Sequence, residues 1–401
     1  MSRASDGAGR CDQPEIGDIV PRQESLELTR RVLKHFENDT LDIVGDVWRE
    51  PREAFVSPER HDADVKMMRN VPHVIGWAGE VAVPGAYTTK DVAGVPVLVV
   101  RGKDGILRAF INGCAHRGAQ VASDCGKTRF FTCPYHGWSY RLDGRLAGVP
   151  AREMFSGADL DDRRLTPLPV SEEAGLIVVG LSDGVNVGNF FGEAAEPLAQ
   201  YDFATRHHAE TRRLVVATNW KLSIDVNFEG YHFPYVHTDT LDPIASNNSV
   251  CDVYGRHNRW AFPFRDIVNF RDMPEIDWPD QFFGTVVYGL FPSCVLIEAP
   301  ASYQMLRSYP GRHPGESVVI VTYGSPDPVT TDEQREWYRM SMDAVCNVLF
   351  NQDFPMAEAC QRGLDSGVDH VVFGRNEPML HHLASEWQKA VTESPAVEAV
   401  K

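Results

Sequence analysis

Four residues constrain this chain more than any others: Cys114 and His116 in the segment NGCAHRGAQ, and Cys133 and His136 in FFTCPYHGWSY, with 16 residues between the pairs. Thiolate and imidazole are ligands for iron and zinc, and each pair sits in a Gly-flanked loop where backbone can wrap a metal closely. Around them, from about Val71 to Leu181, short β-branched runs (Val95 to Val100, Leu107 to Ile111, Leu176 to Val179) alternate with turns such as Asp143-Gly144. That texture predicts a small all-β domain. Structural zinc favours C-x2-C knuckles, whereas one Cys and one His per loop suits a [2Fe–2S] cluster with Cys on one iron and His on the other. A four-ligand zinc site is the alternative that these residues leave open.

A chain of 401 residues exceeds one ordinary core, which predicts more than one domain. Residues 1–70 read as a Gly-, Asp- and Ser-rich tail followed by a helix in which Leu26, Leu33 and Phe36 recur at roughly helical spacing. Residues 71–183 are the all-β segment. The Gly- and Asn-rich stretch SDGVNVGNFFGEAAEP marks the next boundary, and residues 184–401 mix strand-like runs (Arg213 to Thr218, Thr285 to Tyr288, Val318 to Tyr323) with helical patterns. Within them, Thr331 to Gln334 resembles a capping box opening a long helix, and Pro355 starts a further one. The fold class expected is therefore α+β.

The formal charge of −17 and pI near 5.3 oppose nucleic acid or an anionic membrane as partner. An N-terminus without an apolar core, and the lack of any run of about 18 apolar residues, predict a cytoplasmic protein with no membrane span. In that compartment eight cysteines argue for metal ligation rather than disulfides.

A second constellation follows about 96 residues beyond His136: Asn219-Trp-Lys-Leu, then DVNFEGYHFPYVH, which holds His232 and His237. On an ideal helix two residues five apart lie about 140° apart, so Pro234 is expected to distort the turn and let the rings converge.

C-x-H-R-G followed by C-P-Y-H-G-W, together with N-W-K-L and G-Y-H-x-P-Y-x-H, resembles the large subunit of Rieske-type non-haem iron ring-hydroxylating oxygenases over roughly residues 70 to 370. The resemblance implies an all-β Rieske domain (71–183). It also implies a larger catalytic domain (184–401) with an antiparallel sheet and long helices of helix-grip, START-like type, on which the 1–70 segment packs. It implies that Cys114 and Cys133 hold one iron of the [2Fe–2S] cluster and His116 and His136 the other, with Trp138 and Tyr140 as cluster neighbours or plain core aromatics. It further implies a mononuclear Fe(II) on His232, His237 and a late carboxylate, for which Asp353 is chosen over Glu358 and Asp365, with open positions for O2. Glu229 stands where most of the family has Asp and is expected to bridge to His136 of a neighbouring subunit. Asp225 is a candidate to support the iron ligands.

With no Gly-rich dinucleotide fingerprint in the chain, electrons are expected from NAD(P)H through a ferredoxin and/or flavin reductase. A head-to-tail homotrimer or a multiple of it is expected, with or without a separate β subunit. The leading expectation is hydroxylation of an aromatic or similar small compound, with apolar stretches such as TVVYGLFPSCVLIEAP lining the pocket. The alternatives are oxidative N- or O-demethylation, for example of a quaternary amine held by a cage of Phe228, Tyr231, Phe233 and Tyr235, and a non-catalytic Rieske electron carrier.

Overall fold

The protein is described here by a computed structural model covering residues 22–299 and 302–393. The expected tail over residues 1 to about 20 lies outside the described residues.

The Cys/His loops stand on a five-stranded antiparallel sheet in the order Pro167–Leu168, Leu107–Ile111, Val95–Arg101, Ala86–Val92, Cys125–Lys127. Its central strand is apolar on both faces because both are covered: Val97 and Val99 enter the main core, while Leu98 and Val100 pack beneath Cys114, Cys133, Trp138 and Tyr140. A three-stranded sheet of Phe131–Thr132, Ser139–Tyr140 and Leu146–Gly148 carries the second loop. Another, Val170–Glu173, Leu176–Gly180 and Pro72–Trp77, faces the rest of the chain.

The second half is built on a seven-stranded antiparallel sheet. Strands Val250–Tyr254, His257–Pro263, Gly284–Leu290, Cys294–Ala299, Ser302–Pro310 and Ser317–Ser325 form a meander, and His207–Val216 pairs with the last of them. That edge strand begins well before the expected Arg213. Its first seven residues, HHAETRR, are half-buried or exposed, so their polar composition hides them from a hydrophobic reading. The helices Asp332–Val348, Phe354–Asp365 and Pro378–Glu393 cover the sheet, the last through buried Leu383, Ala384 and Trp387, whose indole donates to the Pro292 carbonyl at 2.8 Å.

The helix Arg22–Asn38 buries Leu28 and Val32 rather than the expected Leu26. It is pinned to the large sheet by Arg31, 2.9 Å from Asp252, and by Glu24, which meets the Arg259 guanidinium and accepts from the Tyr288 hydroxyl at 3.0 Å. The N-W-K-L segment is buried in a different part of the interior, with Trp220 in the main core and Leu222 beside Phe55 and Ala357. Asn219 donates to the carbonyls of Phe55 and Pro314 (3.0 Å each), the Trp220 indole donates to Asp64 at 3.1 Å, and the Lys221 ammonium pairs with the same carboxylate. Buried and fully partnered, this knot ties the start of the 222–236 segment to the helix Pro58–Asn70; its role is positional.

Candidate metal centres and the cavity between sheet and helices

The two Cys/His loops are built alike. In each, a glycine four residues after the cysteine adopts positive φ (Gly118 +80°, Gly137 +71°) and donates its N–H to the cysteine carbonyl, at 2.8 and 3.0 Å. A side chain would be strained in that left-handed conformation, which accounts for Gly at both places. The loops bring the His116 and His136 rings to 4.7 Å between centroids, with both cysteines buried behind them. His116 Nδ1 is buried and has no hydrogen-bond partner among the described residues. Trp138 stacks on the His116 ring at 4.8 Å and 8°, and the Tyr140 hydroxyl lies 3.0 Å from Cys114 Sγ while accepting from the Ala115 N–H at 2.9 Å. Both aromatics therefore touch the candidate ligands. Cys125 is exposed on its own edge strand, apart from them. These four donors are not gathered about a single point. Among the described residues the one group of three or more His, Cys, Asp and Glu donors within 4.8 Å of one another is His232, His237 and Asp353. Tetrahedral zinc would need all four round one ion, whereas a binuclear cluster takes one pair on each iron.

His232 and His237 bracket a single four-residue turn, Phe233–Val236. Pro234 opens this turn rather than bending a longer helix, so the helical angle expected between the histidines does not apply; their rings sit 4.9 Å apart. Asp353 comes from far along the chain. Thr331 and Gln334 form the expected capping box at the start of Asp332–Val348, which runs through a π-helical turn, Leu349–Asp353, into Phe354–Asp365. The widened turn, a feature that recurs at functional sites, delivers Asp353 beside both imidazoles.

The Asp353 Oδ1 atom lies 3.0 Å from His237 Nε2 and 3.4 Å from His232 Nε2, yet it and His232 Nε2 are buried without a hydrogen-bond partner among the described residues. They face a common point instead of one another. Two ligands bonded at roughly 2.1 Å and at right angles to one ion would themselves be about 3.0 Å apart, so the trio fits one face of an octahedral metal. The remaining ring nitrogens are committed elsewhere. His237 Nδ1 faces Gln352 Oε1 at 2.7 Å, and His232 Nδ1 is bonded to Glu229, whose other oxygen accepts the His232 N–H at 3.2 Å. Protons on both Nδ1 atoms leave both Nε2 lone pairs for a cation. Burial opposes charge on His232, but Asp353 and Glu229 outweigh it and hold the imidazole's pKa up at about 9. Burial likewise works against ionising Asp353, and the two imidazoles overcome it, keeping the carboxyl below its usual range.

The competing carboxylates lie elsewhere: Glu358 accepts from the Ala217 N–H at 3.1 Å and Asp365 from Gln361 at 3.1 Å. Among the described residues Asp225 is buried with both oxygens unpartnered and bonds to neither histidine, so support of the iron ligands by direct contact is not observed. Gln352 and Thr240, whose hydroxyl donates to Gln352 at 2.8 Å, are residues that sequence reasoning did not single out.

A cavity of about 220 Å³ opens between sheet and helices with His237 and Asp353 in its wall. Phe233, Trp260 and Phe262 line it, as do Thr285, Val287 and Ile297 from the apolar stretch singled out above. The expected aromatic cage does not assemble. Tyr231 and Tyr235 are exposed, Phe228 is buried in the core, and only Phe233 reaches the cavity.

Comparison with known proteins bears on this geometry. The family model for the ring hydroxylating alpha subunit (catalytic domain) matches residues 203–393, and that for the Rieske [2Fe-2S] domain matches residues 72–162. The chain is a Rieske non-haem iron oxygenase large subunit. As an oxygenase of this family it is an enzyme with a Rieske [2Fe–2S] cluster and a mononuclear iron, and it receives electrons from a partner. It is 29% identical over 306 residues (73% of this chain, 78% of that protein) to the carnitine monooxygenase oxygenase subunit of Acinetobacter pittii. It is 27% identical over 338 residues (73% and 74%) to the glycine betaine monooxygenase oxygenase subunit of Chromohalobacter salexigens. Its fold is that of a quaternary ammonium Rieske monooxygenase solved with L-carnitine (TM-score 0.71, 20% identity, 88% of this chain and 97% of that chain). Naphthalene 1,2-dioxygenase from Rhodococcus sp. shares it (TM-score 0.65, 18% identity, 93% and 99%). Among the described residues no helix is long and apolar enough to cross a membrane.

Proposed function

We propose that this oxygenase inserts oxygen into a neutral, largely apolar molecule about the size of one aromatic ring. The observation that carries this reading is the cavity wall: beside His237 and Asp353 it is mostly aliphatic and aromatic, and among the described residues it holds no Lys or Arg. An apolar cavity of roughly 150 Å³ is enough to take benzene, so 220 Å³ suits one ring with a small substituent. Carnitine and glycine betaine carry a carboxylate, which would be desolvated there with no Lys or Arg in the described wall to pair with it. Nor do the aromatic rings leave room for a trimethylammonium group between them: Trp260, Phe262 and Phe233 pack on one another with centroids 4.6 to 6.1 Å apart. The second reading, oxidative demethylation of a quaternary amine, is supported by what the named relatives act on.

In this account Cys114 and Cys133 hold one cluster iron and His116 and His136 the other. His232, His237 and Asp353 hold the mononuclear iron, and Glu229 and Gln352 fix the two imidazoles so that Nε2 faces the metal. The bound iron supplies O2 activation next to the substrate. The chain's part is to hold the substrate against the triad and exclude water from it. Glu229 also keeps a lone pair on the oxygen that accepts the His232 N–H, available to His136 of a neighbouring subunit in a head-to-tail homotrimer. Incubating the reduced, loaded enzyme with O2 and either a toluene-sized aromatic or carnitine, then resolving products by mass spectrometry, tests the substrate reading. Hydroxylated aromatic supports it, and formaldehyde from carnitine with no aromatic product refutes it.

A further inference from the structure

Although the chain carries a net charge of −17, a surface hollow of its cluster domain is lined by cations and, among the described residues, by no acid. Lys103, Lys127 and Arg129 are all exposed and line one open hollow of the surface together with Phe130, whose ring is itself 48% exposed. The Lys103 ammonium lies 5.9 Å from the centre of that ring. None of the three cations has an acidic partner among the described residues. The nearest acid in sequence, Asp104, is taken by Arg108 through contacts of 2.8 and 2.7 Å. By contrast, Arg152 on the same domain is paired with Asp161 at 2.6 Å. The hollow is also held in shape. The Thr128 hydroxyl donates to the Phe130 carbonyl at 2.7 Å and accepts the Phe130 N–H at 3.3 Å, and Phe131 is buried against Tyr87 with ring centroids 5.3 Å apart.

The geometry points to this hollow as the docking surface for the electron donor, an acidic iron–sulfur carrier protein of the ferredoxin class. Two features favour that occupant over a second copy of this chain. Three unpaired cations around a single exposed ring match an acidic rim with an apolar centre, the pattern of a small transient electron-transfer contact. And Phe130 is three residues from Cys133, so the backbone beneath that ring lies within about 11 Å of the cysteine's. The inference rests on the reading of Cys133 as a cluster ligand. In the step it serves, one electron leaves the reduced [2Fe–2S] centre of the carrier, which returns to its oxidised state, and enters the oxidised Rieske cluster; no proton or bond changes hands.

The test compares the whole protein with Lys103→Glu/Arg129→Glu, using an acidic plant-type [2Fe–2S] ferredoxin as probe. Biolayer interferometry reads binding and stopped-flow absorbance reads Rieske reduction, each at about 0.05 M and about 0.5 M salt. Expected are wild-type binding and reduction that weaken with salt, and a variant about tenfold or more weaker in both at low salt with little salt dependence left. Dithionite reduction, the Rieske EPR signal and the oligomeric state should be unchanged. Equal binding by the two proteins, no ferredoxin binding to wild type, or a variant that dissociates into smaller oligomers would each overturn the assignment, the last by giving the surface to a second copy. A missing Rieske signal in wild type would instead fault the ligand reading.

Discussion

Replacing Gln352 with Leu removes the acceptor for His237 Nδ1–H, at 2.7 Å, and for the Thr240 hydroxyl, at 2.8 Å. His237 is 1% exposed, so water does not substitute. Without metal, the ring can move its proton to Nε2, which lies 3.0 Å from Asp353 Oδ1, and so escape the loss. With iron on Nε2 the proton is confined to Nδ1 and remains buried without a partner, at a cost of about 1–3 kcal/mol. That cost falls only on the loaded state, so iron affinity should drop roughly 5- to 150-fold, which brackets the roughly 10- to 100-fold associated with losing such support of a metal-bound histidine. Anaerobic Fe(II) titration against a chromophoric chelator measures it, with Gln352→Glu as the control that restores an acceptor. An affinity for the Leu variant within about twofold of wild type would refute the argument, because the hydrogen bond would then not be selecting the tautomer.

Iron binding should also depend on pH with a defined sign. The His232 imidazole is held up at about 9 in the metal-free chain, so iron displaces a proton below that pH, and affinity should rise about tenfold per unit between pH 6.5 and 8.5; a flat profile in the same titration would contradict the site. Tyr140→Phe removes the hydroxyl 3.0 Å from Cys114 Sγ and should lower the Rieske reduction potential by roughly 60 mV, read by protein-film voltammetry. Glu298 is buried with both oxygens unpartnered among the described residues, and burial, only partly offset by Arg206, raises its pKa well above 4.5. A raised folded value stabilises below the unfolded pKa and loses that contribution as pH rises, by about 1.4 kcal/mol per unit until the folded pKa is reached. Urea unfolding should therefore show Glu298→Gln gaining on wild type from pH 5 to pH 8, and a gap that does not change with pH would count against this.

Both Cys/His loops were legible in the sequence because a cluster needs fixed ligand types at short spacing, and because Gly118 and Gly137 mark the same turn twice. The strands Val95–Arg101 and Leu176–Gly180 were legible because both are buried and read as continuous apolar runs. Asp353 was chosen for its place before Pro355 and its likeness to the family's late Asp, but the π-helical turn that sets it beside the histidines carries no composition signal. Gln352 and Thr240 were missed for the same reason: a lone amide or hydroxyl has no pattern until the fold brings it to a ring nitrogen. The aromatic cage failed because four aromatics within eight residues suggest a cluster, while Tyr235 on the four-residue turn and Tyr231 just before it are both exposed. Trp260 and Phe262, the aromatics that do line the cavity with Phe233, sit two apart on a strand buried on both faces, where cavity wall and sheet core look alike in sequence.

Anaerobic metal analysis with EPR of the dithionite-reduced protein, comparing wild type with His232→Ala, tests the two-centre account most directly. The account predicts about three irons per chain and a Rieske signal in wild type, and loss of one iron with the Rieske signal retained in the variant. Two irons in both proteins, zinc in place of iron, or a variant that loses the Rieske signal would contradict it.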